Sequence, residues 1–294
     1  MRIATIAQGT AQRPVLVDPD RGTIPVGEVL PGFSGDAMEL LEPETYRAAV
    51  TAATGAGDAM FFNTAAVTFV APYRSPRKLW GIGLNYVAHA GDLSESVPTE
   101  PASFMKGDHT IIGPDDPIVL PEQSKRVTAE AEIGLVIGKY CRNVSEADAL
   151  DYVWGVVPIL DQTAEDILQR NPRFLTRSKN FPTFFSFGPE LVPLGEVRAG
   201  FTSLAEIEVQ TIHNGSVHRK NTVSNMMFSP EFLVSFHSKV MPLFPGDIVS
   251  TGTPGAAVLA EGDVVEARIP GIGSLSNPVV SESAAAEGRS DAHR

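Results

Sequence analysis

The sequence predicts an α+β fold that is mainly β. Three observations carry this reading. Glycine and proline, 26 and 23 of 294 residues, punctuate the chain so often that long helices have little room. The apolar runs after Lys78 are short and bounded by turn signals. Strand and helix patterns also fail to alternate as a doubly wound parallel sheet would require.

Taken in order, residues 1–75 read as a small N-terminal domain. Residues 3–6 and 14–17 look like strands, and 43–53 reads as a helix closed by Gly55. Arg74-Ser75-Pro76-Arg77 is a junction, after which 76–281 forms the larger, mainly β domain. Within it, Ser145-Glu146-Ala147-Asp148 has a capping-box pattern that opens a helix. Ser229-Pro230-Glu231 opens a second, with Phe232, Phe236 and Val240 on one face. Residues 204–213 and 216–222 alternate as strands around Asn214-Gly215, a pair suited to a type I′ hairpin turn. Further strands follow Pro245-Gly246-Asp247 and Glu261-Gly262-Asp263. Residues 282–294, rich in Ala, Ser, Glu and Gly, read as a disordered tail.

Composition excludes several function classes. A net charge of −12 argues against nucleic acid as a partner, since phosphate backbones are met by clustered Lys and Arg. No apolar run approaches the ~18–20 residues of a membrane span. The opening residues lack the apolar core of a signal peptide, so a cytoplasmic location is expected. The lone Cys141 excludes an internal disulfide and a Cys-rich zinc site.

Three segments carry candidate chemistry. In Glu130-Ala131-Glu132 the acids share a strand face ~6.6 Å apart, close enough to bend toward one hard cation. An isolated Glu-x-Glu more often marks a solvent-washed face. Here both faces turn apolar beyond Glu132, and a third acid, Asp161, ends the apolar run Val156-Val157-Pro158-Ile159-Leu160. Second, if Asn85 caps a short helix, His89 and Asp92 become neighbours, as a general base and its carboxylate or as a plain surface pair. Third, Thr251-Gly252-Thr253-Pro254-Gly255 is either a loop offering N–H and hydroxyl groups to an anion or an ordinary turn.

Together these segments resemble the fumarylacetoacetate hydrolase family. The carriers are Gly83-x-Asn85-Tyr86-x-x-His89, Pro101-x-x-Phe104-x-Lys106, Glu130-x-Glu132, Asp161, Lys179-x-Phe181, Gly188-Pro189, Asn214-Gly215, Pro245-Gly246-Asp247, Thr251-Gly252-Thr253-Pro254 and a closing Gly271-Ile272-Gly273 segment. The resemblance implies a mixed β-roll or β-sandwich behind a small N-terminal domain, and a homodimer. It implies that Glu130, Glu132 and Asp161 hold one divalent cation, Mg²⁺ or Mn²⁺, with Ca²⁺ as an alternative. His89 matches the water-activating base, Asp92 its partner, and Lys106 and Lys179 the lysines near the substrate. Tyr86, Phe104 and Thr253 match substrate-facing positions. The implied reaction is hydrolysis of a C–C bond in a small 1,3-dicarbonyl substrate. Decarboxylation, isomerisation or hydration of a 2-oxo acid are alternatives, and a non-catalytic metal-binding protein is a third.

The chain departs from the family pattern after Asp161. Glu165 stands where an Arg is usual, and Leu168 where a Gln is usual. An acid there repels a substrate carboxylate, so the substrate is expected to carry less negative charge at this end or to pack an apolar group on Leu168. The alternative is that Glu165 turns to solvent and Arg170, Arg173 or Arg177 takes over.

Overall fold

The computed structural model describes residues 1–86 and 99–291. Strand outweighs helix, 39% against 28%, as the turn-rich sequence implies. Two sheets face each other. The larger has 13 strands, and its main path runs through Gly22–Pro25, Ala11–Asp18, Arg2–Gln8, Glu190–Pro193, Val153–Ala164, Val127–Ile137, Ile248–Ser250, Leu79–Gly83 and Ala102–Lys106. The smaller runs Ser216–Thr222, Glu208–His213, Val264–Ile269, Gly273–Ser281, Ile118–Leu120. Parallel pairs, such as Ile248–Ser250 on Leu79–Gly83, interrupt mostly antiparallel ladders, which gives the mixed sandwich.

The two longest strands, Val127–Ile137 and Val153–Ala164, pair antiparallel at the centre of the larger sheet. Val127, Ala129, Ala131, Ile133, Leu135 and Ile137 point into a core shared with Val209, Val265, Ala267, Ile269 and Leu275 of the smaller sheet. Val136, Val157 and Ile159 point the other way, into a core shared with Ile3, Leu16, Leu40, Phe185 and Phe187. Because side chains alternate along a strand, this second face is also the one that carries Glu130, Glu132 and Asp161.

The N-terminal strands extend the large sheet: Arg2–Gln8 pairs with Glu190–Pro193. The helix expected near residue 43 spans Pro43–Gly55, with Pro43 in its first turn and the Glu42 carboxylate accepting from Thr45 N at 2.7 Å. The 208–222 hairpin turns at Asn214-Gly215, both with positive φ, as expected.

Three expectations need correction. No α-helix follows Ser145. Its hydroxyl and Asp148 bond each other, and only a 3₁₀ segment, Ala149–Tyr152, follows before the chain enters the long strand. A cap without a following amphipathic run does not nucleate a helix. The strand expected from residue 204 begins at Glu208, after a 3₁₀ turn Leu204–Glu206. Phe232, Phe236 and Val240 share one face of helix Pro230–Val240, as expected, with Phe232 and Phe236 stacked; that face is the outer one, and Leu233, Val234 and His237 are buried. The segment expected to be a disordered tail is helical over Glu282–Asp291: Ser281 Oγ accepts from Ala284 N, and the alanines favour helix. No helix among the described residues is long and apolar enough to cross a membrane.

One buried acid ties the site-bearing strands together. Asp247 Oδ1 accepts from Lys78 N at 2.8 Å, and Oδ2 takes Phe244 N at 2.8 Å and Lys78 Nζ at 2.7 Å. These bonds fix the start of Leu79–Gly83 beside Ile248–Ser250. Asp247→Ala leaves a mostly buried ammonium and two N–H groups unpaired, so it should cost about 3–5 kcal/mol in urea unfolding. A loss below ~1 kcal/mol would mean that the pairing of these strands does not depend on Asp247.

Candidate metal centre

Glu130 faces Asp161 directly across the central ladder, and Glu132 lies two residues along the same face. Opposed side chains in an antiparallel pair start only about 4.5–5.5 Å apart. One oxygen from each of the three carboxylates lies within 4.8 Å of the others. Glu132 and Asp161 are each 1% exposed, and Glu130 is half-buried. Carboxylates this close, and this far from water, repel one another unless positive charge stands among them.

Two lysines supply part of it. Lys179 Nζ lies 2.6 Å from Asp161 Oδ2 and 3.1 Å from Glu130 Oε2. Lys106 Nζ pairs with Asp161 Oδ1 and donates to the carbonyls of Gln162, at 2.8 Å, and Phe184. Three carboxylates and two ammoniums leave a formal charge of −1. Glu132 is held differently. Its Oε2 accepts from Ser250 Oγ at 2.5 Å and Gly252 N at 2.8 Å, which leaves Oε1 for another ligand.

The electrostatics follow from this layout. Burial, reinforced by the charges of Asp161 and Glu130, pushes the Glu132 carboxyl up to about 8. Burial pulls the Lys106 ammonium down to about 8; Asp161 opposes that and Lys179 adds to it. Burial also acts against the Lys179 charge, but Asp161 and Glu130 outweigh it and hold that ammonium above its ordinary value. Three converging carboxylates, one with an oxygen still to be satisfied, fit a hard divalent cation with oxygen ligands. Soft thiolate chemistry has no donor here, since Cys141 is buried elsewhere and bridges to Leu243.

Neighbouring residues shape the seat. The Phe104 ring lies 4.2 Å beneath Lys179 Nζ, a cation–π contact that steadies the ammonium. It fits because residue 81 is glycine: a Cβ there would stand 2.2 Å from the ring. Tyr86 is fully buried, and its hydroxyl has no partner among the described residues. Burial and then the Glu132 charge raise its pKa, so it stays a neutral donor beside the acids.

Other expected residues fall less directly. The Thr253 hydroxyl is engaged within its own loop, accepting from Gly255 N at 3.1 Å. The helix that Asn85 was expected to cap lies outside the described residues; Asn85 Oδ1 accepts from Phe228 N, and its Nδ2 donates to Thr251 O at 2.8 Å and Phe228 O at 3.0 Å. Leu168 is half-buried on the short helix Glu165–Arg170. Glu165 does not turn out to solvent: its side chain is 12% exposed and pairs with Arg126. His89 and Asp92 lie outside the described residues. Gly252 belongs to the loop that the sequence marks as a source of N–H donors, and its N–H meets Glu132; Ser250, one residue before that loop, carries no signal of its own.

The shifted Glu132 gives a pH prediction. Its folded pKa exceeds the ordinary 4.5, so the unfolded state holds fewer protons between about 4.5 and 8. Stability of the cation-free protein from this group therefore falls as pH rises through that window. A cation competes with the same proton, so the Tm gain from added Mn²⁺ should be larger at pH ~9 than at pH ~6. Glu132→Gln should abolish most of that gain at both pH values. An equal gain in wild type and variant would remove Glu132 from the cation site.

Comparisons agree with this architecture. Residues 78–280 match the fumarylacetoacetate (FAA) hydrolase C-terminal family. The chain is 37% identical over 223 residues to the mitochondrial oxaloacetate tautomerase fahd2 of Xenopus laevis, covering 73% of this chain and 69% of that protein. The crystal structure of a 5-carboxymethyl-2-hydroxymuconate delta-isomerase from Mycobacterium smegmatis superposes with a TM-score of 0.75 at 30% identity, covering 96% of this chain and 99% of that one. A maleylpyruvate hydrolase from Sphingobium sp. SYK-6, in complex with manganese(II) and pyruvate, superposes at 0.79 with 26% identity and coverage of 96% and 99%. The chain belongs to the fumarylacetoacetate hydrolase family.

Proposed function

We propose that this protein is a divalent-cation-dependent enzyme that forms the enolate of a 2-oxo acid and returns the proton at a new position, a keto–enol isomerisation. The observation that carries the reading is the convergence of Lys106 and Lys179 on Asp161, beside Glu130 and Glu132. A cation in the Glu130–Glu132–Asp161 cradle would supply Lewis-acid stabilisation of the enolate. The relatives named tautomerase and isomerase are 37% and 30% identical, and the hydrolase 26%. This ordering favours isomerisation over hydrolysis.

The chain's own groups have separable tasks. Lys179, steadied by Phe104, points ammonium protons at negative charge that develops on a carbonyl oxygen. Tyr86 offers a neutral O–H donor, which does not compete with the cationic groups for a proton. A base takes the C–H proton next to the carbonyl, the electron pair moves onto oxygen, and the proton returns at carbon or oxygen. By the resemblance that base is His89, oriented by Asp92. Hydrolysis of a C–C bond is the second reading, and it is favoured by the same His-Asp pair, which is suited to activating water. The substrate would be a small dicarbonyl compound and the working unit a homodimer, to be checked by light scattering.

The test is an assay panel on protein loaded with Mn²⁺, using oxaloacetate and an acylpyruvate. Loss of enol absorbance without pyruvate release from the acylpyruvate supports isomerisation; stoichiometric pyruvate release supports hydrolysis. His89→Ala should lower turnover ~10²–10⁴-fold while Mn²⁺ affinity holds. Unchanged turnover in that variant would place the base elsewhere.

A further inference from the structure

The donors around the cradle limit how each acid can bind a cation. An ionised carboxylate has about four lone-pair sites, two on each oxygen. On Glu132, Oε2 accepts from both Ser250 Oγ and Gly252 N, so both of its sites are taken. On Glu130, Oε2 meets Lys179 Nζ at 3.1 Å and Thr163 Oγ1 at 3.3 Å. On Asp161, Oδ2 meets Lys179 Nζ and Oδ1 meets Lys106 Nζ. None of the three acids has both oxygens clear of a donor. Chelation through both oxygens of any one acid therefore requires a donor to be displaced.

The two donors on Glu132 are fixed by backbone. Ser250 lies in the ladder, paired with Gly134 of the acid-bearing strand. Thr251 is tied back to that strand as well: its N and Oγ1 both donate to Ile133 O, at 3.2 and 2.8 Å. On its other side Thr251 O accepts from Asn85 Nδ2 at 2.8 Å. Gly252 has φ +96°, a conformation that favours glycine, and a Cβ there would stand 2.8 Å from Asn85 Cβ. Pinned on both sides, the segment keeps its hydroxyl and N–H on Oε2 and leaves Glu132 to bind through Oε1. Such a limit acts on cation choice. Ca²⁺ takes about six to eight oxygens and often chelates a carboxylate with two, whereas Mg²⁺ holds to about six at shorter range. Mn²⁺ also suits an octahedral shell of oxygens.

We propose that Ser250, together with the Gly252 N–H, selects the cation: by keeping Glu132 from chelating through both oxygens, it favours Mn²⁺ or Mg²⁺ over Ca²⁺. Ser250 is a positioning residue, since it acts through Glu132 and not on the cation itself. The proposal deepens the reading above and rests on it, because it takes the cradle to hold a divalent cation.

The experiment is titration calorimetry of the full chain with Mn²⁺ and with Ca²⁺ in one buffer, read as the ratio of the two dissociation constants. Wild type should bind Mn²⁺ the more tightly. Ser250→Ala should move the ratio toward Ca²⁺ by about tenfold, the size of one hydrogen bond to a charged group. Ser250→Thr, which keeps the hydroxyl, should restore the wild-type ratio. Circular dichroism checks that each variant is folded. If Ser250→Ala is not, Ser250→Cys, close to serine in size with only a weak S–H donor, reads the same shift. A wild type that binds the two cations equally overturns the role of Ser250. So does a Ser250→Ala variant whose ratio is unchanged, even where its affinity for both cations falls. Failure of wild type to bind either cation overturns instead the reading of the cradle as a cation site, and this proposal with it.

Discussion

The rest of the structure depends on keeping three carboxylates together on the buried face of one strand pair. Without compensation, burying even one of them costs several kcal/mol. The fold answers each in its own way. Asp161 takes two lysines, Glu130 shares one of them, and Glu132 takes a hydroxyl and a backbone N–H. Three elements that border the site supply these partners. Ala102–Lys106 brings Lys106 and Phe104, the short helix Leu175–Lys179 brings Lys179, and Ile248–Ser250 with its loop brings Ser250 and Gly252. With all three carboxylates ionised the two ammoniums leave one negative charge, which suits the site to a cation.

Packing protects this arrangement from both sides. The face opposite the acids is locked against the smaller sheet by an unbroken apolar row from Val127 to Ile137. A slip of one residue would turn that row outward and the acids into the core, so the register is strongly specified. On the acidic side, glycine at 81 leaves the space in which Phe104 supports Lys179. Fold stability and site geometry are thus the same constraint seen from two faces of one strand.

Much of this was legible in the sequence, and the limits have physical causes. Glu130 and Glu132 could be paired because strand periodicity is local. Asp161 could be suspected from its place at the end of an apolar run, but its position opposite Glu130 depends on register, which no local pattern encodes. The same holds for Arg126: nothing near it in the chain marks it as the partner of Glu165, which became visible only once the two strands were aligned. The capping pattern at Ser145 misled because a cap satisfies a few N–H groups and does not supply a buried face. The Ala-rich end after Ser281 misled in the other direction, since low hydrophobicity was weighed above helix propensity.

The central claim is that the charge left among Glu130, Glu132 and Asp161 is met by one divalent cation. Anomalous diffraction from Mn²⁺-soaked crystals, recorded on both sides of the manganese edge, tests it most directly. The account predicts one strong peak with carboxylate oxygens of all three residues at about 2.0–2.6 Å, and Lys179 still bonded to Asp161. A peak elsewhere, or none while Lys179 alone bridges Glu130 and Asp161, would contradict it.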